Sequence, residues 1–160
     1  MPIDPAYAGR TYPPTEPYAV GVEKIREFAS AIGDSNPAYR DPAAAQALGH
    51  ADVIAPPTFP FVLTFTASRQ VIQDPDLGID YSRVVHGEQR FVASRPITAG
   101  DLLTTTVSID TIRSAGGHDM ITTRAEVSPP GFRNRRRIMR ARWSCALDVP
   151  GEMSSSAAIS

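Results

Sequence analysis

The side chains able to do chemistry gather in a few places along the chain. Asp34 and Asn36 sit between a glycine and a proline in Gly33-Asp34-Ser35-Asn36-Pro37, and Tyr39 follows two residues later. Taken alone, that run is helix-stop and turn chemistry. Short polar side chains bond the nearby backbone, and glycine takes the left-handed conformation that ends a helix. Tyr39 reads as a packing or hydrogen-bonding residue, because a phenol titrating near ~10 exchanges no protons at neutrality. His86 stands at the start of a strand pattern, His50 follows Gly49 in a loop, and His118 lies beside a hairpin turn. None has the spacing of a metal-ligand motif, so no metal is expected. Cys145, the single cysteine, falls on the apolar face of a strand pattern and reads as a small core residue. The run from Arg133 through Arg135, Arg136, Arg137 and Arg140 to Arg142 contains no acidic residue. It fits a docking patch for phosphates or for an acidic partner, and it equally fits a solvated hairpin and strand face.

Local patterns supply the elements that must hold these groups. Residues 21–33 have Val22, Ile25, Phe28, Ala29 and Ile32 on one helical face and Glu23, Lys24, Arg26 and Glu27 on the other. Asp41-Pro42 is an N-cap followed by a proline at the first helical position, which predicts a short helix over 43–48. In 57–73 the apolar residues Phe59, Phe61, Val62, Leu63, Phe65, Val71 and Ile72 point almost all round, predicting a helix buried on most sides. The pattern then changes to period two. Met139, Ala141, Trp143, Cys145, Leu147 and Val149 alternate with the polar and small residues of 138–148, and 119–128 alternates similarly. Further strands are predicted at 84–95 and 102–112, with a hairpin turn at Gly116-Gly117.

The composition fits one globular domain. The chain has 160 residues, 42% of them hydrophobic and 21% charged, with sixteen basic and seventeen acidic side chains for a net charge of −1. That balance gives no case for nucleic-acid or membrane-surface binding. No apolar run approaches the ~18 residues of a membrane span, and a cytoplasmic location is expected. The fifteen prolines are unusual, and Pro2, Pro5, Pro13, Pro14 and Pro17 make residues 1–18 an extended arm. A folded unit over 19–150 and a flexible tail over 151–160 follow. Helix, helix, long apolar helix and then antiparallel strands describe an α+β protein. A sheet with one apolar face must cover it, and the helix at 57–73 is the apolar object long enough to do so. A curved sheet wrapped around one central helix is the hot-dog fold, and its open edge invites dimerisation.

The stretch from Ala31 to Ala45 resembles the signature of the MaoC-like, R-specific enoyl-thioester hydratases and 3-hydroxyacyl dehydratases. In that family a Gly-Asp-x-Asn-Pro-x-His run presents an Asp and a His at the active site. Gly33, Asp34, Asn36 and Pro37 match, and Tyr39 stands at the position of the His. Ile54-Ala-Pro-Pro-Thr-Phe59, His86-Gly-Glu-Gln89 and Arg95-Pro-Ile-Thr-Ala-Gly-Asp-Leu102 resemble the FAS1-like, N-terminal-type dehydratase domain.

The resemblance implies a hot-dog fold and chemistry on acyl thioesters. Hydrating a 2-enoyl thioester needs a base for water, an acid for Cα, and a backbone N–H at the central helix start to hold the developing enolate. Asp34 is the implied catalytic carboxylate and Tyr39 an impaired substitute for the His. Asn36, Pro57, Thr58 and His86 are the implied substrate-binding residues, with Arg135, Arg136 and Arg137 on the phosphates of the carrier. Pro57 falls at the donor position and has no N–H, and Thr58 supplies one only if the register shifts by one. The pattern is closest to the non-catalytic subunits of heteromeric (3R)-hydroxyacyl-ACP dehydratases. The leading expectation is therefore a subunit that shapes the acyl pocket while a second hot-dog chain supplies the Asp/His pair. The partners are an acyl-CoA or acyl-carrier-protein thioester and a homo- or heterodimer mate, and no cofactor is expected. A self-sufficient dehydratase or cyclase using Asp34 with Tyr39 or His86, and a non-enzymatic acyl-binding protein, are the alternatives.

Overall fold

The computed structural model describes residues 3–131 and 137–148. Five strands, β1 (Tyr18–Ala19), β2 (Val84–Ala93), β3 (Leu102–Ala115), β4 (His118–Ser128) and β5 (Met139–Asp148), form one antiparallel sheet in the order β1-β3-β4-β5-β2. The sheet curls around helix α3 (Pro60–Ile72), while α1 (Val22–Ala31) and α2 (Pro42–Ala47) lie between β1 and α3 in the chain. This is the hot-dog arrangement the patterns predict. The strand order is not sequential, because β2 pairs with β5 and leaves β3 to the other half of the sheet.

Alternation decides which residues face the helix. Val107, Ile109, Ile121, Ala125, Val127, Met139, Ala141, Trp143, Cys145 and Leu147 are buried on the concave side. α3 meets them with Leu63, Thr64, Ala67, Ser68 and Val71, which recur at helical spacing on one face. Its other side departs from the expectation of near-complete burial: Phe61 and Phe65 are 40% and 42% exposed, with rings stacked 5.3 Å apart. The helix also starts later than the apolar run. Pro60 takes the first turn, where a missing N–H costs nothing, and residues 57–59 form the turn before it.

The proline-rich arm closes one sheet edge. Gly9 N–H donates to the Ile109 carbonyl (2.8 Å), Tyr12 N–H to Val107 (2.9 Å) and Thr15 N–H to Thr105 (2.9 Å), so the arm runs along β3 into β1. Its start is held by buried Asp119, which accepts from Ile3 N–H at 2.7 Å and from the Ser114 hydroxyl. Asp74 holds the middle, accepting from Arg10 (2.6 Å) and the Tyr12 hydroxyl (2.7 Å). Among the described residues no strand pairs with the remaining edge, the outer side of β2.

A bulge in β2 sets the inner face of that edge. The register slips between His86 and Glu88, so Val84 and His86 before the slip share a face with Gln89 and Phe91 after it. Gly87 sits in the slip, where a Cβ would lie 3.3 Å from the Ser144 carbonyl oxygen.

Candidate functional site

The Asp34–Tyr39 segment is built by local bonds. Gly33, at φ +71°, ends the helical region, and the Asp34 N–H returns to the Ala29 carbonyl at 2.9 Å. The Asp34 carboxylate accepts from the Asn36 N–H at 3.0 Å, and the Asn36 side chain accepts from the Ala38 N–H at 3.0 Å. These two bonds shape the single turn Pro37–Tyr39. Arg40 then donates to the Asp34 carbonyl and to Ser30 Oγ, both at 3.0 Å, and Arg26 donates to the Arg40 carbonyl at 2.9 and 2.6 Å. Asp34 and Asn36 thus act as turn formers, with Asp34 half-buried and Asn36 exposed.

Tyr39 goes inward. It is 7% exposed and lines a cavity of about 340 Å³ with Ile54, Ala55, Pro56, Pro57 and Pro60 on one side and Ala93–Ile97 and Met139 on the other. The Ile54 N–H on the Ala38 carbonyl (3.1 Å) and the Ala55 N–H on the Ile97 carbonyl (2.7 Å) clamp this wall in place. The structure therefore brings Tyr39 and Pro57 together, while Asp34 and Asn36 do not line the cavity.

The start of α3 offers little to an oxyanion. Pro56, Pro57 and Pro60 have no N–H. Phe59, Phe61 and Val62 give theirs to the carbonyls of Pro56, Thr58 and Phe59 at 2.9–3.0 Å. Among the described residues this leaves the N–H of exposed Thr58 as the donor of the turn with no backbone partner.

His86 belongs elsewhere. Its ring stacks on Trp143, with centroids 5.3 Å apart and planes 15° from parallel, and both line a second cavity of about 100 Å³ beside α3. Phe61, Phe65, Tyr81 and Val84 form the apolar part of that cavity, and Thr64, Ser68 and Gln89 the polar part. Buried Trp143 Nε1 and its cross-strand neighbour Thr123 Oγ1 have no hydrogen-bond partner among the described residues. The sequence marks Trp143 as core. The register by which His86 meets it includes the bulge at Gly87, which no local pattern announces.

Of the carrier-binding candidates, Arg135 and Arg136 lie outside the described residues. Arg137 donates to Glu126 at 2.8 Å, and its carbonyl lies 3.3 Å from the Ser94 hydroxyl, which donates to it at the first cavity's edge. Cys145 is buried in the core, and burial raises its thiol above its ordinary range, only partly offset by a bond with the Ile121 backbone. Among the described residues no group of three or more His, Cys, Asp or Glu side chains is placed to hold a metal. No helix among them is long and apolar enough to cross a membrane.

Comparison with known proteins decides the family. Residues 6–131 match the FAS1-like, dehydratase domain region. The chain belongs to the FAS1-like dehydratase domain family. Close relatives carry no assigned activity in their names: a UPF0336 protein of Streptomyces avermitilis is 61% identical over 79% of this chain and 85% of its own length. One of Thermobifida fusca is 52% identical over 80% and 84%. Among solved structures, a MaoC-like dehydratase superposes with a TM-score of 0.81 at 31% identity. The match covers 91% of this chain but only 43% of that longer one, so this domain corresponds to less than half of it. The HadBC (3R-hydroxyacyl-ACP dehydratase) complex of Mycobacterium tuberculosis aligns at 28% identity with a TM-score of 0.75, over 88% of this chain and 96% of the other.

Proposed function

We propose that this chain is a subunit of an acyl-thioester hydratase or dehydratase, shaping the acyl pocket while a second hot-dog chain supplies the proton-exchanging Asp/His pair. One observation carries this reading: Tyr39 and Pro57 line the same cavity at the start of α3. A phenol stands where the family pattern has an imidazole, and an imide nitrogen where it has an N–H. The Asp34 carboxylate is engaged with its own turn. What remains is a mostly apolar slot with rigid proline walls, suited to holding an acyl thioester carried on CoA or a carrier protein. The open β2 edge and the exposed Phe61–Phe65 pair give the second chain a surface to join. The likeness to a chain of the HadBC (3R-hydroxyacyl-ACP dehydratase) complex supports the reading.

The test is a hydration assay on crotonyl-CoA and on a longer 2-enoyl thioester. The chain alone turns over neither, and mixing it with a MaoC-type hot-dog chain that retains Asp and His yields activity above that chain alone. Ordinary enzyme rates from the single chain contradict the reading.

A further inference from the structure

The convex face of the sheet carries an arrangement that stability alone disfavours. The register sets Arg90 of β2 opposite Arg142 of β5, and Arg142 opposite Arg124 of β4. Three guanidinium groups thus share one row across three strands about 4.8 Å apart, and like charges directly opposite are destabilising. Compensation is partial. Asp110 meets Arg124 at 2.7 Å and Arg142 at 3.8 Å, and Arg90 has no ion-pair partner among the described residues. Towards the start of β5, Glu126 is shared by Arg137 (2.8 Å) and Arg140 (3.5 Å). Five arginines therefore face Asp110, Glu126 and Glu88, in a chain whose net charge is −1. Two open clefts of about 200 and 300 Å³ lie among them, edged by the hydroxyls of Thr122, Ser144, Thr106 and Ser108. The field begins at Arg137, beside the Ser94 edge of the first cavity, and runs about 17 Å along β5 to Arg142.

We infer that this face docks the acidic surface of the carrier protein that delivers the acyl thioester, with the acyl arm turning over the end of β2 into the cavity lined by Tyr39. The inference rests on the function proposed above and names its partner. The row is three strands wide, which suits a protein surface bearing spaced carboxylates better than the compact phosphates of CoA. Interleaved Asp110, Glu126 and Glu88 would oppose a nucleic-acid backbone, whereas a protein surface can set its own basic groups against them.

The experiment compares the wild-type chain with R90Q/R124Q/R142Q by calorimetry against four probes: an octanoyl-loaded acyl carrier protein, octanoyl-CoA, phosphate-free octanoyl-N-acetylcysteamine and a single-stranded oligonucleotide. Carrier-protein affinity is expected to fall about tenfold or more in the variant, and wild-type affinity to fall as salt is raised, with a flatter salt response in the variant. N-acetylcysteamine thioester binding is expected to be unchanged, and the melting temperature to stay level or rise as the like charges are removed. Equal carrier-protein affinity in the two proteins overturns the inference, as does an equal loss for octanoyl-CoA, which would make the row a phosphate site. Tighter wild-type binding to a single-stranded oligonucleotide than to the carrier protein overturns it too. If the N-acetylcysteamine thioester binds and the carrier protein does not, only the docking inference fails. If neither binds, the proposed function fails with it.

Discussion

Replacing Tyr39 by His restores the side chain the family pattern has at that position, and the structure says how much that should achieve. Tyr39 and Pro57 line the same cavity, so an imidazole at 39 would sit beside a Pro57 that has no N–H for the enolate, while Thr58, which keeps a spare N–H, does not line the cavity. General acid–base help is worth about 10²–10⁴-fold and an oxyanion donor about 10²–10³-fold. Both act on one transition state, so a base without the donor is largely wasted. Tyr39→His alone is expected to give little hydration of crotonyl-CoA, and Tyr39→His with Pro57→Gly a gain exceeding the product of the single effects. Adding Asp34→Asn to the double variant should change that gain less than tenfold, because the carboxylate faces its own turn and not the cavity. The costs are separable. Tyr39 is 7% exposed, so losing its ring should cost about 1–3 kcal/mol. Pro57 is exposed, and glycine there adds about 0.4–1 kcal/mol through unfolded-state entropy. Rates from loss of enoyl absorbance, read beside thermal unfolding, keep activity and stability apart. Full activity from Tyr39→His alone would refute the reasoning, since the donor would then be dispensable. So would abolition of the double variant's activity by Asp34→Asn.

Two further outcomes follow from other parts of the fold. Phe61→Glu with Phe65→Glu should leave the fold intact, because both rings are about two-fifths exposed, and should abolish association; light scattering that shows an unchanged oligomer would contradict the α3 face as the joining surface. Burial works against the charge on Asp74, but hydrogen bonds from Tyr12 and Arg10 outweigh it and hold the carboxyl below its usual range. A depressed pKa contributes stability that is present above the unfolded value near ~3.9 and lost as pH falls through the folded one. Asp74→Asn should therefore lower Tm by about 2–4 °C at neutral pH and speed amide exchange at Tyr12 and Thr15, with the deficit shrinking below about pH 4. An unchanged exchange rate at neutral pH would show that Asp74 does not hold the arm.

The features legible in the sequence are those set by near neighbours. The Asp41-Pro42 cap, the stop at Gly33, the Gly116-Gly117 turn and the alternation of β5 each depend on residues a few positions apart, and the structure shows each of them. Pairings across long separations were not legible. β2 joins β5 and not β3, and the arm's backbone bonds to β3 come from residues such as Tyr12 and Thr15, set among the prolines. The exposed face of α3 is not legible, because an all-apolar helix reads as buried whether the sheet covers one side of it or all. At the candidate site, Gly-Asp-x-Asn-Pro announces turn chemistry, and the Asp34 and Asn36 side chains make those bonds. The meeting of Tyr39 and Pro57 required the strand-like pairing of 53–55 with 97–99, which brings distant segments together. The arginine row was hidden for the same reason: Arg90, Arg124 and Arg142 are separated in sequence and joined by register.

The most direct test of the account asks which chain of a reconstituted complex holds the chemistry. The complex of this protein with a MaoC-type hot-dog chain is assayed on a 2-enoyl thioester in two variants, one carrying Asp34→Asn here and the other lacking the Asp/His pair of the partner subunit. The account predicts that Asp34→Asn keeps activity within severalfold of the wild-type complex, while removing the partner's pair abolishes it. Loss of activity with Asp34→Asn in a complex that still assembles would place the catalytic carboxylate in this chain and contradict the account.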